Sequence, residues 1–235
     1  MSTEVSKVRI PIWQPIFSFV FLTAFPLLIL WLAGDWRWIE GWIFVAIFWI
    51  FSLVTSVRMY FKDPALFKER FSSPVQKKQK AWDKIVIFLV IIGYLAWMVI
   101  SPLDAKRFGW SPPFPFFIKA IGTILTVGGF WLFYETFKEN TFAAPVVKLQ
   151  EERKQHVIST GVYGVVRHPL YLAASLYIIG GALLMGSIYG GLCGLAFVVV
   201  LGLRSLGEEQ MLRNELEGYD EYMRRVRWRL LPYVF

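Results

Sequence analysis

Apolar residues in this chain come in unbroken blocks rather than at strand or helix intervals. Ile12 to Ala33 carries no charge, and neither does Trp42 to Val57. Ile85 to Leu103 is a third block, and Phe116 to Phe137, charged only at Lys119 and Glu135 near its ends, is a fourth. A helix rises about 1.5 Å per residue, so about 20 apolar residues cross a hydrocarbon layer roughly 30 Å thick. Each block therefore predicts a membrane-spanning helix. The fifth block, Leu170 to Leu203, is uncharged for 34 residues, too long for one upright crossing and short for two. Its middle reads MGSIYGGLCG, where glycine and serine favour a break. The block thus predicts a tight hairpin of Leu170 to Met185 and Ile188 to Leu203. The expected fold is an all-α integral membrane protein of about six transmembrane helices, the last two a short hairpin.

The segments between the blocks are polar. Leu103 to Pro115, with Pro112, Pro113 and Pro115, is expected to be non-helical and to form a rigid re-entry turn. Thr141 to Thr160 lacks clean periodicity and predicts a partly ordered flap. In the tail, Leu212, Leu216, Tyr219, Met223 and Val226 recur at helical spacing, which predicts a C-terminal amphipathic helix lying on lipid headgroups. Polarity divides the chain into a four-helix membrane region, residues 1–137, and a region, residues 138–235, that holds nearly all the unusual polar groups. Met1 to Pro11 is polar and the first apolar block is too long for a signal peptide, so this start is expected to remain as an anchor.

Composition agrees. Of 235 residues, 56% are hydrophobic and 18% charged, against about 25% charged in soluble domains. That excludes a soluble single-core fold, and the apolar content excludes disorder. One cysteine, Cys193, forbids an internal disulfide framework and any multi-cysteine metal site. No metal ligand set is expected. The net charge of +8 fits either nucleic acid or membrane. With six crossings, all but Arg37, Lys106, Arg107 and Lys119 of the 25 lysines and arginines fall on one side. The positive-inside rule then puts both termini and that face in the cytoplasm. Trp13, Trp31, Trp36, Trp38, Trp82, Trp110 and Trp228 lie near predicted span ends, as an interfacial belt requires. The expected partners are membrane lipids and not nucleic acid.

Two polar strings carry candidate chemistry. The first is GVYGVVRHPLYLAASL, Gly161 to Leu176. Pro169 suits a first helical position, so Arg167 and His168 are expected at a helix N-terminus, where free N–H groups and the dipole favour anions. Tyr171, three residues on, faces the same cleft. The bland alternative is an interfacial turn whose arginine snorkels to phosphates and whose histidine caps the helix. The second string is Leu203 to Phe235, with Arg204, Glu208 and Glu209 where the sixth helix leaves the bilayer. Arg204 with Glu208, and Glu209 with Arg213, are (i, i+4) pairs that suit an exposed helix. They leave unexplained why an acidic pair stands at the membrane exit.

Together, RHPLY preceded by GVYGVV, EEQML about forty residues later, and then GYDEYMRRV resemble the isoprenylcysteine carboxyl methyltransferase and phospholipid methyltransferase superfamily. The likeness covers roughly Asn140 to Pro232, with Leu170 and Ala173 where many relatives have Met and Gly. It implies a membrane enzyme that binds S-adenosylmethionine in a cytosol-facing pocket. Tyr163, Arg167, His168, Pro169, Tyr171, Glu208 and Glu209 would then be cofactor-site residues, with Arg204 and Glu208 closest to the chemistry. Arginine and helix N–H groups suit the cofactor's carboxylate, and glutamates suit its ammonium or ribose hydroxyls. His168 and Glu209 are expected at an interface, so that alanine there weakens cofactor binding without unfolding the protein. The resemblance implies a lipophilic acceptor entering from the bilayer, most like O-methylation of a prenylcysteine carboxylate. A phospholipid amine or a small thiol are alternatives. Two readings compete: an NADPH-dependent sterol reductase, whose C-terminus resembles the same superfamily, and a non-catalytic scaffold.

Overall fold

The structure is a computed structural model that describes residues 10–234 apart from residue 77. The polar start, with Lys7 and Arg9 of the charge asymmetry, lies outside the described residues. The described chain is all helical in its regular elements. α1 (Trp13–Ala33), α2 (Ile39–Lys62), α4 (Ala81–Pro102), α5 (Phe116–Glu139) and α7 (Ile188–Glu215) are the long helices, with α3 (Pro64–Arg70), α6 (Pro169–Met185) and α8 (Tyr219–Arg225) between or after them. Among the described residues, five helices are long and apolar enough to cross a membrane, and α6, at 17 residues, is a shorter apolar helix. The break between α6 and α7 falls where predicted, at Gly186, whose φ of +84° suits glycine, and at Ser187, whose Oγ accepts from the Gly190 N–H at 2.7 Å.

Three expectations need correction. The segment from Leu103 is not wholly irregular: Leu103–Phe108 continues α4 as a π-helical turn, and the chain leaves it at Gly109 (φ +61°). The prolines act only from residue 112 onward, and buried Asp104 organises what precedes them. Its carboxylate accepts from Ser111 N, Ser111 Oγ and Ser187 Oγ at 2.6–2.7 Å, and so ties this loop to the α6–α7 corner. The tail is also different. α7 runs through to Glu215, Gly218 (φ +82°) breaks the helix, and the apolar stripe packs with Val147 of the flap instead of facing outward. Trp38, placed in the belt by position, is buried under Gly41, although Trp13, Trp31, Trp36 and Trp110 are exposed.

The core is aromatic. Phe44, Phe48, Trp97, Phe130 and Tyr177 form one cluster, and Tyr94 shares a 2.8 Å hydroxyl contact with Tyr177. α5 and α6 approach until their backbones touch. A Cβ on Gly129 would stand 2.7 Å from Tyr177 N, and one on Gly180 2.6 Å from Thr126 N. This is the small-residue packing that helix pairs use where lipid removes the hydrophobic drive between them. It fixes the start of α6, and with it the RHPLY string, against the end of α5.

Candidate functional site

Pro169 occupies the first turn of α6 as expected, and His168 precedes it in non-helical geometry. The preceding strand-like stretch is held by the chain's end: Arg167 N donates to Trp228 O and His168 N to Arg229 O, both at 2.9 Å. The Arg167 side chain completes the clamp, with Nη1 donating to the carbonyls of Val226 and Arg227 and Nε to Glu209 Oε1 at 2.7 Å. Glu209 is 3% exposed and also takes Arg229 at 2.7 Å and His168 Nε2 at 3.2 Å. Both groups expected to offer charge to a ligand are therefore engaged with each other. Glu209 is the hub joining α6, α7 and the tail, and it is not at a loose interface.

Glu208, one residue earlier, behaves differently. It accepts from Tyr171 Oη at 2.6 Å, lies 3.7 Å from His168 Nδ1, and lines a cavity. The rings of His168 and Tyr171 stack at 5.2 Å with 7° between their planes. The cavity measures about 100 Å³ and is roofed by the flap, from Phe142 to Ile158. Tyr163, Arg167, His168, Tyr171 and Glu208 all border it, so residues from two strings some forty positions apart meet in one wall. Glu209, Pro169 and Arg204 do not border it. His156 is exposed, and its ring meets Phe142 edge-on at the cavity rim.

Arg204 does not pair with Glu208. Its guanidinium reaches across to fully buried Asp83 in the first turn of α4, at 2.8 Å, donates to Pro145 O at 2.9 Å, and stacks 5.6 Å from the Tyr171 ring. Asp83 also accepts from Val147 N at 2.8 Å, so this ion pair anchors the flap. Arg213 likewise leaves Glu209 and bonds exposed Asp220. Helical spacing permitted the local pairs, but Arg204 and Glu209 both face inward, where desolvated charge selects the best-shaped partner over the nearest one.

Sequence reasoning missed Asp83, whose partner is 121 residues away. It also missed Asn140, whose Nδ2 donates to Tyr163 Oη at 2.8 Å, and Tyr219, a cavity-lining residue whose buried hydroxyl has no hydrogen-bond partner among the described residues. Burial holds the phenols of Tyr163, Tyr219 and Tyr222 above their ordinary range, so all three are neutral donors. The aromatic spacing in GYDEYM marked Tyr219 only as an apolar-stripe residue. The orphaned hydroxyl and the partly exposed Glu208 carboxylate suit a ligand that carries both cationic and hydroxyl groups.

Comparison with known proteins adds two findings. Residues 117–217 match the phospholipid methyltransferase family. The chain is also similar to Delta(14)-sterol reductase TM7SF2 of Mus musculus, 27% identical over 170 residues, which is 63% of this chain and 39% of that protein. The chain thus spans well under half the length of this curated relative. The matched stretch takes in α5, α6, the flap and both polar strings up to the acidic pair, so the resemblance to phospholipid methyltransferases lies in the part of the chain that builds the cavity.

Proposed function

We propose that the chain transfers a methyl group from S-adenosylmethionine to a lipophilic acceptor drawn from the bilayer. The observation that carries this reading is the common cavity wall: Tyr163, Arg167, His168 and Tyr171 from one string and Glu208 from the other surround one space within the family-matched region. S-adenosylmethionine bound there supplies a methyl group on a positively charged sulfur. Glu208 holds the ammonium or the ribose hydroxyls, and the free Tyr219 hydroxyl takes a further polar atom of the same ligand. The stacked His168 and Tyr171 rings form a flat wall. Arg167, Glu209 and Pro169 are positioning residues that fix this wall through the tail and the start of α6. Arg204 and Asp83 hold Tyr171 and the flap from behind. The cavity lies at the ends of apolar helices under a flap, and orientation of the bound groups there supplies much of such an acceleration. The site lies at the same end of the bundle as the basic loop, residues 63–80, which the charge asymmetry assigns to the cytoplasm.

The acceptor atom is a carboxylate oxygen in the first reading, with amine nitrogen or thiol sulfur as alternatives. The likeness to a sterol reductase favours NADPH-dependent reduction as a second reading. A carboxylate facing the cavity attracts the ammonium of the methyl donor and repels the phosphates of the nucleotide. Calorimetry on the detergent-purified full chain separates the two: S-adenosylmethionine is expected to bind and NADPH not, and the opposite result would overturn the reading. A radiolabelled methyl donor offered with a prenylcysteine, a phospholipid extract and a small thiol then identifies the acceptor class.

A further inference from the structure

A second groove lies outside this cavity, between α1 and α2. It measures about 210 Å³, and its wall is almost wholly apolar, including Phe19, Val57, Phe61 and Phe67. Phe19, Val57 and Phe61 are exposed on the lipid-facing surface, so the groove opens sideways toward hydrocarbon. Phe67 closes its end nearest the basic loop, and one turn further along α3 stands Arg70.

Arg70 is an unusual cation. Its guanidinium sits 4.9 Å above the Phe137 ring, and no carboxylate or hydrogen-bond partner engages it among the described residues. The neighbouring carboxylate, Glu69, is held by Lys148 at 3.0 Å and Gln76 at 3.1 Å. Burial, and then the nearby charge of Arg204, lower the Arg70 pKa to about 10 against a smaller opposing pull from the Glu69 carboxylate, and Arg70 stays charged at neutral pH. A half-buried cation whose neighbouring carboxylate is already engaged by Lys148 and Gln76 has room for a further anion.

Its location says what that is. Tyr60 and Phe67 line the groove, Ala143 and Leu170 line the cofactor cavity, and these four residues pack with Phe137 in one cluster. Arg70 itself lines neither space, but Phe137, on which it stacks, packs with residues from the walls of both, so Arg70 stands beyond the Phe67 end of the groove on the side towards the cavity. The geometry points to Arg70 as the binding site for the anionic headgroup of a membrane amphiphile whose hydrocarbon chain lies in the α1–α2 groove. This deepens the methyltransferase reading, on which it rests for the identity of the amphiphile as acceptor: the headgroup is brought to the wall of the cavity, and the tail is left in the bilayer. Carboxylate and phosphate share the required chemistry, since either accepts two hydrogen bonds from a guanidinium.

Three probes of equal chain length test this on the full chain in neutral detergent: oleate, oleyl phosphate and oleyl alcohol. Wild-type protein is expected to bind one or both anions at least tenfold more tightly than the alcohol. Arg70→Gln should abolish that preference, and Arg70→Lys should keep part of it. Ser56→Phe, which fills the groove wall, should weaken all three probes together, and so reports on the groove even where Arg70→Gln fails to fold. S-adenosylmethionine affinity should be unchanged in Arg70→Gln. Equal affinity for oleate and oleyl alcohol in wild type, or an anion preference that survives in folded Arg70→Gln, would overturn the assignment. Failure of wild-type protein to bind S-adenosylmethionine would instead sink the methyltransferase reading and leave the headgroup site standing.

Discussion

A helix turns through one circuit in 3.6 residues, so adjacent positions face directions about 100° apart. On α7 this gives Glu208 the cavity and Glu209 the buried hub, and the two should respond differently to substitution. Glu209→Ala removes the carboxylate that Arg167, Arg229 and His168 share and leaves buried cations without it, at a cost of about 3–5 kcal/mol. It should lower the melting temperature in detergent and loosen the tail, contrary to the sequence expectation that this variant stays folded. Glu208→Ala should melt near wild type yet lose S-adenosylmethionine affinity about tenfold or more by calorimetry, because beyond Tyr171 and the nearby His168 ring its carboxylate faces the proposed ligand space. Equal melting temperatures in the two variants would show that the hub is not structural. Arg204 and Asp83 make a second test, since both are buried and each is the other's charge partner. Arg204→Met and Asp83→Asn should each destabilise, while the double variant should recover part of the loss, with a coupling of about 0.5–3 kcal/mol. Additive losses would mean that the pair does not act as a pair. The sequence showed that these groups are unusual, because charge at a membrane exit is rare. It did not show how they pair, because (i, i+4) spacing predicts neighbours on an exposed face and these side chains point inward.

Among the elements, the α5–α6 contact decides where the site stands. Two adjacent glycines on α5 provide an internal control: a Cβ on Gly129 meets the α6 backbone at 2.7 Å, whereas a Cβ on Gly128 meets nothing within 4 Å. Gly129→Ala should therefore destabilise and shift the RHPLY turn, reducing S-adenosylmethionine affinity as well. Gly128→Ala should be neutral or slightly stabilising, as alanine favours the helix. Similar melting curves for the two would contradict the close approach. Hydropathy made the long helices legible because a span needs only length and the absence of charge, and Pro169 marked the start of α6. The glycine seam was not legible, since α5 and α6 are almost uniformly apolar and nothing in the pattern indicates which face is protein and which is lipid. The π-helical turn after Pro102 and the break at Gly218 were missed for a related reason. Asp104 and the Val147 cluster dictate them from elsewhere in the chain.

Across the whole molecule, polar chemistry is gathered at one end of the bundle. The cavity, the flap, the Asp83–Arg204 pair, Arg70 and the basic loop all lie where α2 and α5 finish and α4 and α6 begin. At the other end stand the prolines after Gly109 and a smaller set of charges, Lys106 paired with Asp35 and Lys119 with Glu40. Alternating long helices set these ends on opposite sides of a membrane, and the proposed function takes the end richer in lysine and arginine, which carries the site, to be the cytoplasmic one. The orientation follows from charge alone, so it can be tested apart from any activity. In a Cys193→Ser background, a cysteine at Val75 in the exposed basic loop should react with a membrane-impermeant maleimide only after the cytoplasmic face is opened. A cysteine at Pro113, exposed at the far end, should react in intact cells. The reverse pattern would invert the topology and put the cavity where cytoplasmic S-adenosylmethionine does not reach it, which would remove the proposed function along with the orientation. Labelling of both positions from one side would mean that α4 with its π-helical extension does not cross, and the count of spans would have to change before any account of the site.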